Sequence, residues 1–183
     1  DFLLQLKREN IFTEIIPTIL FNFDDIDFER NIVQQIHSLK SNFKTILYRS
    51  NIADENCYED IEFIGKEIDD NNLKIIIDCG YVPQASYKNV SNKCIARISN
   101  IKKMVASKYI IASTSFPNNV SDLGDSDSDT FSISEINMYN EILSIHNDVI
   151  YADYASINPI RNDTVRMARG WIPRIDVPLK DAI

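Results

Sequence analysis

The chain has 183 residues, 44% apolar and 25% charged, the balance of an ordinary globular protein, which excludes wholesale disorder. Nineteen basic residues against 27 acidic ones leave a net charge of −8, which argues against a general nucleic-acid or anionic-membrane coat and leaves room for one local basic site. Four glycines in the whole chain disfavour a glycine-rich phosphate loop.

The chain opens Asp1-Phe2-Leu3-Leu4, without an initiator Met and already in a helical pattern, so a segment of a longer protein is expected. Phe2, Leu3 and Leu6 share one face of a helix over residues 1–9. Ile15 to Phe23 reads as a buried strand with Pro17 near its start and Asp24 and Asp25 after it. Phe28, Ile32, Val33, Ile36 and Leu39 recur at helical spacing, with Asp27 as cap candidate. Thr45 to Tyr48 is a short strand running into Arg49, and Tyr58, Ile61, Ile64 and Ile68 mark the next helix.

Leu73 to Ile77 is an uninterrupted apolar strand followed by Asp78-Cys79-Gly80-Tyr81. A helix carrying Ile95, Ile98, Ile101 and Val105 leads to the strand Tyr109 to Ala112, which runs into Ser113-Thr114-Ser115-Phe116-Pro117. The polar, acidic stretch 118–132 is a long loop. A helix with Ile136, Tyr139 and Leu143 follows, capped by Ser134, and then a strand from Val149 to Tyr151 that ends in Asp153-Tyr154. Trp171 to Val177 is one more candidate strand, with Pro173 confining it to an edge or a start.

Alternating helices and doubly apolar strands define an α/β fold with a parallel sheet of about six strands. Periodicity alone admits a doubly wound open sheet or a parallel-stranded (β/α) barrel. A full barrel takes about 250 residues, so a barrel-like fold here would be incomplete or truncated. The organisation expected is a single domain over 1–183, with the acidic loop 118–132 and an arginine-containing C-terminal segment 157–183. No apolar run reaches membrane-spanning length and no signal-peptide layout opens the chain, so a cytoplasmic protein without membrane contact is expected. Cys57, Cys79 and Cys94 are odd in number and unevenly spaced, which points to reduced, buried thiols.

In parallel α/β folds ligands bind at the carboxyl ends of the strands. Those positions hold Arg49, Asp78, Ser113 with Ser115, Asp153 with Tyr154, and Arg174. Asp78 and Asp153, facing one pocket, would act as base or as ligands to a divalent metal, with Tyr154 as a hydroxyl donor. Arg49 and Arg174 suit bidentate binding of a phosphate or carboxylate. The bland readings are that Asp78 caps a turn onto Gly80, that Tyr154 is a packed aromatic, and that Arg49 and Arg174 pair with those same aspartates. Asp125, Asp127 and Asp129 imitate a calcium loop, but Thr130 stands where Gly is required and Glu135 falls one residue short of the closing position. His37 and His146 lack metal-ligand spacing, and a nucleophile elbow, a Walker loop and a dinucleotide fingerprint are all missing. Thiol catalysis by Cys79 is disfavoured by the adjacent Asp78 carboxylate. Arg161, Arg166, Arg169 and Arg174 against Asp163 make residues 157–175 locally basic around Trp171, a pattern that fits an anion or nucleic-acid contact or pairing with the acidic remainder.

The order Ile16-Pro17, Arg49, Ile77-Asp78-Cys79-Gly80, Ser115-Phe116-Pro117 and Ala152-Asp153-Tyr154 resembles the bacteriophage beta protein family, over roughly residues 1 to 175. The resemblance implies a TIM-barrel-like α/β fold. It also implies that Arg49, Asp78, Ser115, Phe116, Asp153 and Tyr154 belong together, in a setting of phage–host conflict and antiviral defence. It carries no defined activity. Two functions are therefore expected as alternatives. One is binding or processing of a phosphate-bearing ligand, such as a nucleotide or nucleic acid, at the strand ends. The other is a non-enzymatic module docking a protein partner in a multi-component defence or toxin-like assembly.

Overall fold

The computed structural model describes residues 2–10, 12–116, 132–154 and Pro159. The elements run α1 (Phe2–Glu9), α2 (Phe28–Lys40), β1 (Ile46–Asn51), α3 (Cys57–Glu67), β2 (Leu73–Tyr81), α4 (Tyr87–Ile101), β3 (Lys108–Thr114), α5 (Ser134–Ile145) and β4 (Ile150–Asp153). The fold is mixed α/β: among the described residues four strands form an open, all-parallel sheet in the order β1-β2-β3-β4. Each helix between strands is the crossover that parallel pairing requires. The candidate strand Trp171 to Val177 and the basic segment lie outside the described residues, as does most of the acidic loop.

Contacts divide the chain into two compact units, Asp1–Ile77 with Arg97–Ile110, and Asp78–Ala96 with Ile111–Ile183. The first is built on isoleucine. Ile32 and Ile36 of α2, Ile61 and Ile64 of α3, Ile46, Leu73, Ile75 and Ile77 on the strands, and Ile98 and Ile101 of α4 are at most 2% exposed. Burying each such side chain contributes about 1.5–3 kcal/mol. Their β-branched shape suits the strands, and their spacing of three or four along the helices keeps one stripe turned to the core. The second unit is smaller in apolar content and richer in buried hydroxyls: Ser91, Ser113, Thr114, Ser115 and Ser134 are all buried there.

The expected strand Ile15 to Phe23 is reduced to a single parallel bridge between Thr18 and Leu47. Leu47 N–H donates to Pro17 O and Ile19 N–H donates to Leu47 O, both at 2.8 Å. On the edge turned away from β1 the Gln35 side chain takes both main-chain groups of Leu20, accepting from Leu20 N at 2.7 Å and donating to Leu20 O at 3.2 Å. Ser134, expected as a cap, is instead the first helical residue of α5, and its hydroxyl donates to Val82 O at 2.6 Å. Asp27 holds the N-cap position of α2 without a side-chain cap bond.

Two buried polar groups of the first unit were not singled out from the sequence. Arg97, 8% exposed, falls on the buried stripe of α4 and donates to Asn51 O at 2.7 Å and Ser50 Oγ at 3.3 Å. Its guanidinium also lies 6.0 Å from the Tyr58 ring centre. Tyr48 donates to Asp60 Oδ2 at 2.7 Å. Burial first, then that bond and the Asp60 charge, push the phenol far up, so it stays a donor.

Burial also raises the Asp60 carboxyl, with repulsion from Asp54 and Glu59 adding to it and the Tyr48 bond opposing it. A carboxyl raised in the folded state stabilises the fold fully below its unfolded value of about 3.9, and that contribution is lost as pH rises through the folded value. Asp60→Asn keeps an acceptor for Tyr48 and removes the charge. Its melting temperature should exceed that of the wild type at neutral pH and match it in acid; thermal denaturation across pH checks the crossing.

Candidate functional site

The second unit gathers most of the candidate residues. Side chains alternate along a strand. On β2, Cys79 turns toward α4, with its Sγ 3.2 Å from Cys94 Sγ. Asp78 therefore turns to the opposite face of the sheet. On β4, Tyr151 turns toward α5 and meets the Tyr139 ring edge-on, centres 5.3 Å apart. Tyr154 shares the register of Ile150 and Ala152 and so takes the Asp78 face. The two meet: Tyr154 Oη donates to Asp78 Oδ1 at 2.5 Å, across 76 residues of sequence.

Gly80 N–H donates to the same Asp78 oxygen at 2.9 Å. That bond folds the backbone back on the carboxylate, and Gly80 has φ +61. A side chain is strained in this left-handed conformation, which is why glycine stands here. β2 runs through this point to Tyr81, and the bond is the cap onto Gly80 that the bland reading of Asp78 expects. Asp78 is 6% exposed, and its carboxylate accepts from a phenol and a main-chain amide.

Asp153 is exposed and lies in register with Tyr151, the β4 residue that meets Tyr139 of α5. Burial, then the charges of Asp153 and Glu135, push the Tyr151 phenol far up and keep it protonated. The bond described at Asp78 is thus to Tyr154, the neighbour of its expected partner Asp153. Among the described residues no group of three or more His, Cys, Asp or Glu could hold a metal ion.

The serines after β3 are committed to a different task. Ser115 N–H donates to Glu135 Oε2 at 3.0 Å, Ser115 Oγ donates to Ser132 O at 3.2 Å, and Ser134 N–H donates to Ser115 Oγ at 3.2 Å. Phe116, 4% exposed, donates its N–H to Thr114 Oγ1 at 3.1 Å. Together these bonds clamp the end of β3 to the start of α5. Ser113 shares register with Ile111, both 1% exposed, on the helix side of β3. Thr114, which the sequence reading passed over, shares the Asp78 face, and its carbonyl accepts from Val82 N–H at 2.7 Å. The signal was available: in a strand of alternating faces, a residue an even number of steps from Ala112 faces the same way.

In the first unit, Arg49 is exposed on β1, out of register with the buried Tyr48 and Ser50. Arg174 lies outside the described residues. His146 caps the C-terminal end of α5, with Nε2 3.2 Å from Ile95 O, and His37 Nε2 lies 3.6 Å from Glu67 Oε2. Both histidines serve helix ends. No helix among the described residues is long and apolar enough to cross a membrane.

No curated protein and no solved structure matches the chain. A family model described as Beta protein matches residues 1–183, the whole chain. The chain belongs to the Beta protein family.

Proposed function

We propose that this chain is the ligand-handling part of a (β/α)-barrel-like protein, binding or processing a phosphate-bearing compound at the carboxyl ends of its strands, in the setting of phage–host conflict. The observation that carries the reading is the hydrogen bond from Tyr154 to the buried carboxylate of Asp78. A carboxylate fixed by residues 76 positions apart, at the end of a parallel sheet where ligands of such folds bind, fits an acceptor or general base. Tyr154 orients it. The phosphate contact falls to Arg174. Barrel character is supported by the strand order, β1-β2-β3-β4. Doubly wound sheets reverse order at a switch point, whereas barrel strands follow one another in sequence.

The test is a thermal-shift screen of wild type and Asp78→Asn against nucleoside mono-, di- and triphosphates, sugar phosphates and oligonucleotides. One class should raise the melting temperature of the wild type and leave the variant where it is. A wild type insensitive to every class, or a variant stabilised equally, contradicts the reading.

A second reading rests on a separate feature of the first unit. Leu20, Phe23 and Ile26 are 72%, 67% and 100% exposed among Asp24, Asp25 and Asp27. Beside them is a hollow of about 200 Å³ that includes Leu20, Asp25, Phe28 and Gln35 in its lining. An apolar patch set in acidic residues suits a basic, apolar segment of a partner protein. Phe23→Ser with Ile26→Ser should then abolish assembly with the partner while ligand stabilisation in the screen is unaffected.

A further inference from the structure

We propose that Cys79 and Cys94 form a reversible dithiol–disulfide pair, closed by a hydroperoxide and reopened by a thiol reductant. The βα unit brings them together: Cys79 is on the helix-facing register of β2, and Cys94 is on the buried side of the α4 that follows it. Their sulfurs stand 3.2 Å apart, about 1.2 Å more than a disulfide bond. Small side-chain rotations cover that gap. Neither cysteine is in a disulfide, nor is Cys57, which lies in the other unit.

Cys79 is 8% exposed and Cys94 is fully buried, so Cys79 is the one an oxidant reaches. Its thiolate attacks one peroxide oxygen, the O–O bond breaks, the released alkoxide or hydroxide takes up the thiol proton, and Cys79 becomes a sulfenic acid. Cys94, as thiolate, then attacks that sulfur. The S–O bond breaks, hydroxide leaves and takes up the Cys94 proton as water, and the S–S bond forms. The pair loses two electrons and two protons in total; hydrogen peroxide is reduced to two waters. The bond closes a loop between positions 15 apart, and by constraining the unfolded chain it should raise the melting temperature by about 5–10 °C. None of this depends on whether Asp78 binds a ligand.

The test treats the unmutated native chain with hydrogen peroxide, quenches it, alkylates it under denaturing conditions, and maps the peptides by mass. The expected result is an intact mass lower by two hydrogens and a cross-linked peptide joining Cys79 to Cys94. Cys57 should be alkylated, and dithiothreitol should restore all three thiols and the original melting temperature. Cys94→Ser should lose the cross-link. Both thiols still alkylated after treatment would overturn the proposal. So would Cys79 carrying two or three oxygens beside an unpaired Cys94, or a disulfide only between chains.

Discussion

Glu135→Ala is expected to destabilise the fold by about 3 kcal/mol, lowering the melting temperature by roughly 6–12 °C at this chain length. Glu135 is 6% exposed, and its Oε2 accepts from Ser115 N–H. Removing the carboxylate leaves that buried amide without its partner and opens a void beside it, two costs that add. Glu135 is also the second residue of α5, where a negative charge is favoured by the helix dipole. Glu135→Gln keeps the acceptor and the volume and should cost about 1 kcal/mol or less. The ratio of the two, read by urea denaturation, distinguishes a clamp made by this hydrogen bond from general sensitivity of the position. Equal losses for both variants would contradict the clamp.

The second large effect concerns the Asp78–Tyr154 pair. For the ligand class found in the screen, Asp78→Asn should weaken binding roughly 30-fold, the loss of a charge-assisted hydrogen bond worth about 2 kcal/mol. Tyr154→Phe removes the phenol that orients the carboxylate and leaves Gly80 N–H holding it. Binding should then weaken about fivefold, with about 1 kcal/mol lost from the fold. Because Tyr154 acts through Asp78, the double variant should bind no worse than Asp78→Asn alone. Titration calorimetry on the four proteins checks this. Independent, additive losses would mean that Tyr154 touches the ligand directly.

Much of the fold was legible because the sequence repeats two periods. The isoleucine stripes at 32 and 36, 61 and 64, and 98 and 101 marked the helices, and the apolar run from Leu73 to Ile77 marked the central strand. The strand expected from Ile15 to Phe23 is reduced to the bridge at Thr18, and the other edge of this segment is bonded at Leu20 by Gln35, a helix residue 15 positions away that local composition does not bring to mind. The site was half legible. Strand-end position singled out Asp78 and Tyr154, which the structure joins. It also paired Asp78 with Asp153; by alternation Asp153 takes the register of Tyr151, and Tyr154 is the residue bonded to Asp78. Ser115 read as a ligand contact because a hydroxyl at a strand end has no visible partner in a sequence. Its partners, Glu135, Ser132 and Ser134, lie beyond the acidic loop and meet it only in three dimensions. In the sequence Glu135 stands out only near the closing position of a calcium-like loop and Arg97 only as a charge within an apolar stripe, because the groups they bond are distant in the chain.

The most direct measurement of the central claim is an amide chemical-shift map of the isotope-labelled protein, recorded as the nucleoside phosphates, sugar phosphates and oligonucleotides are added in turn. The account predicts that one of these classes moves the signals of Asp78, Cys79, Gly80 and Tyr154 in a saturable way, and that with Asp78→Asn the movement needs roughly 30-fold more ligand. Saturable shifts confined to Leu20, Phe23 and Ile26, or no saturable shift with any class, would contradict it.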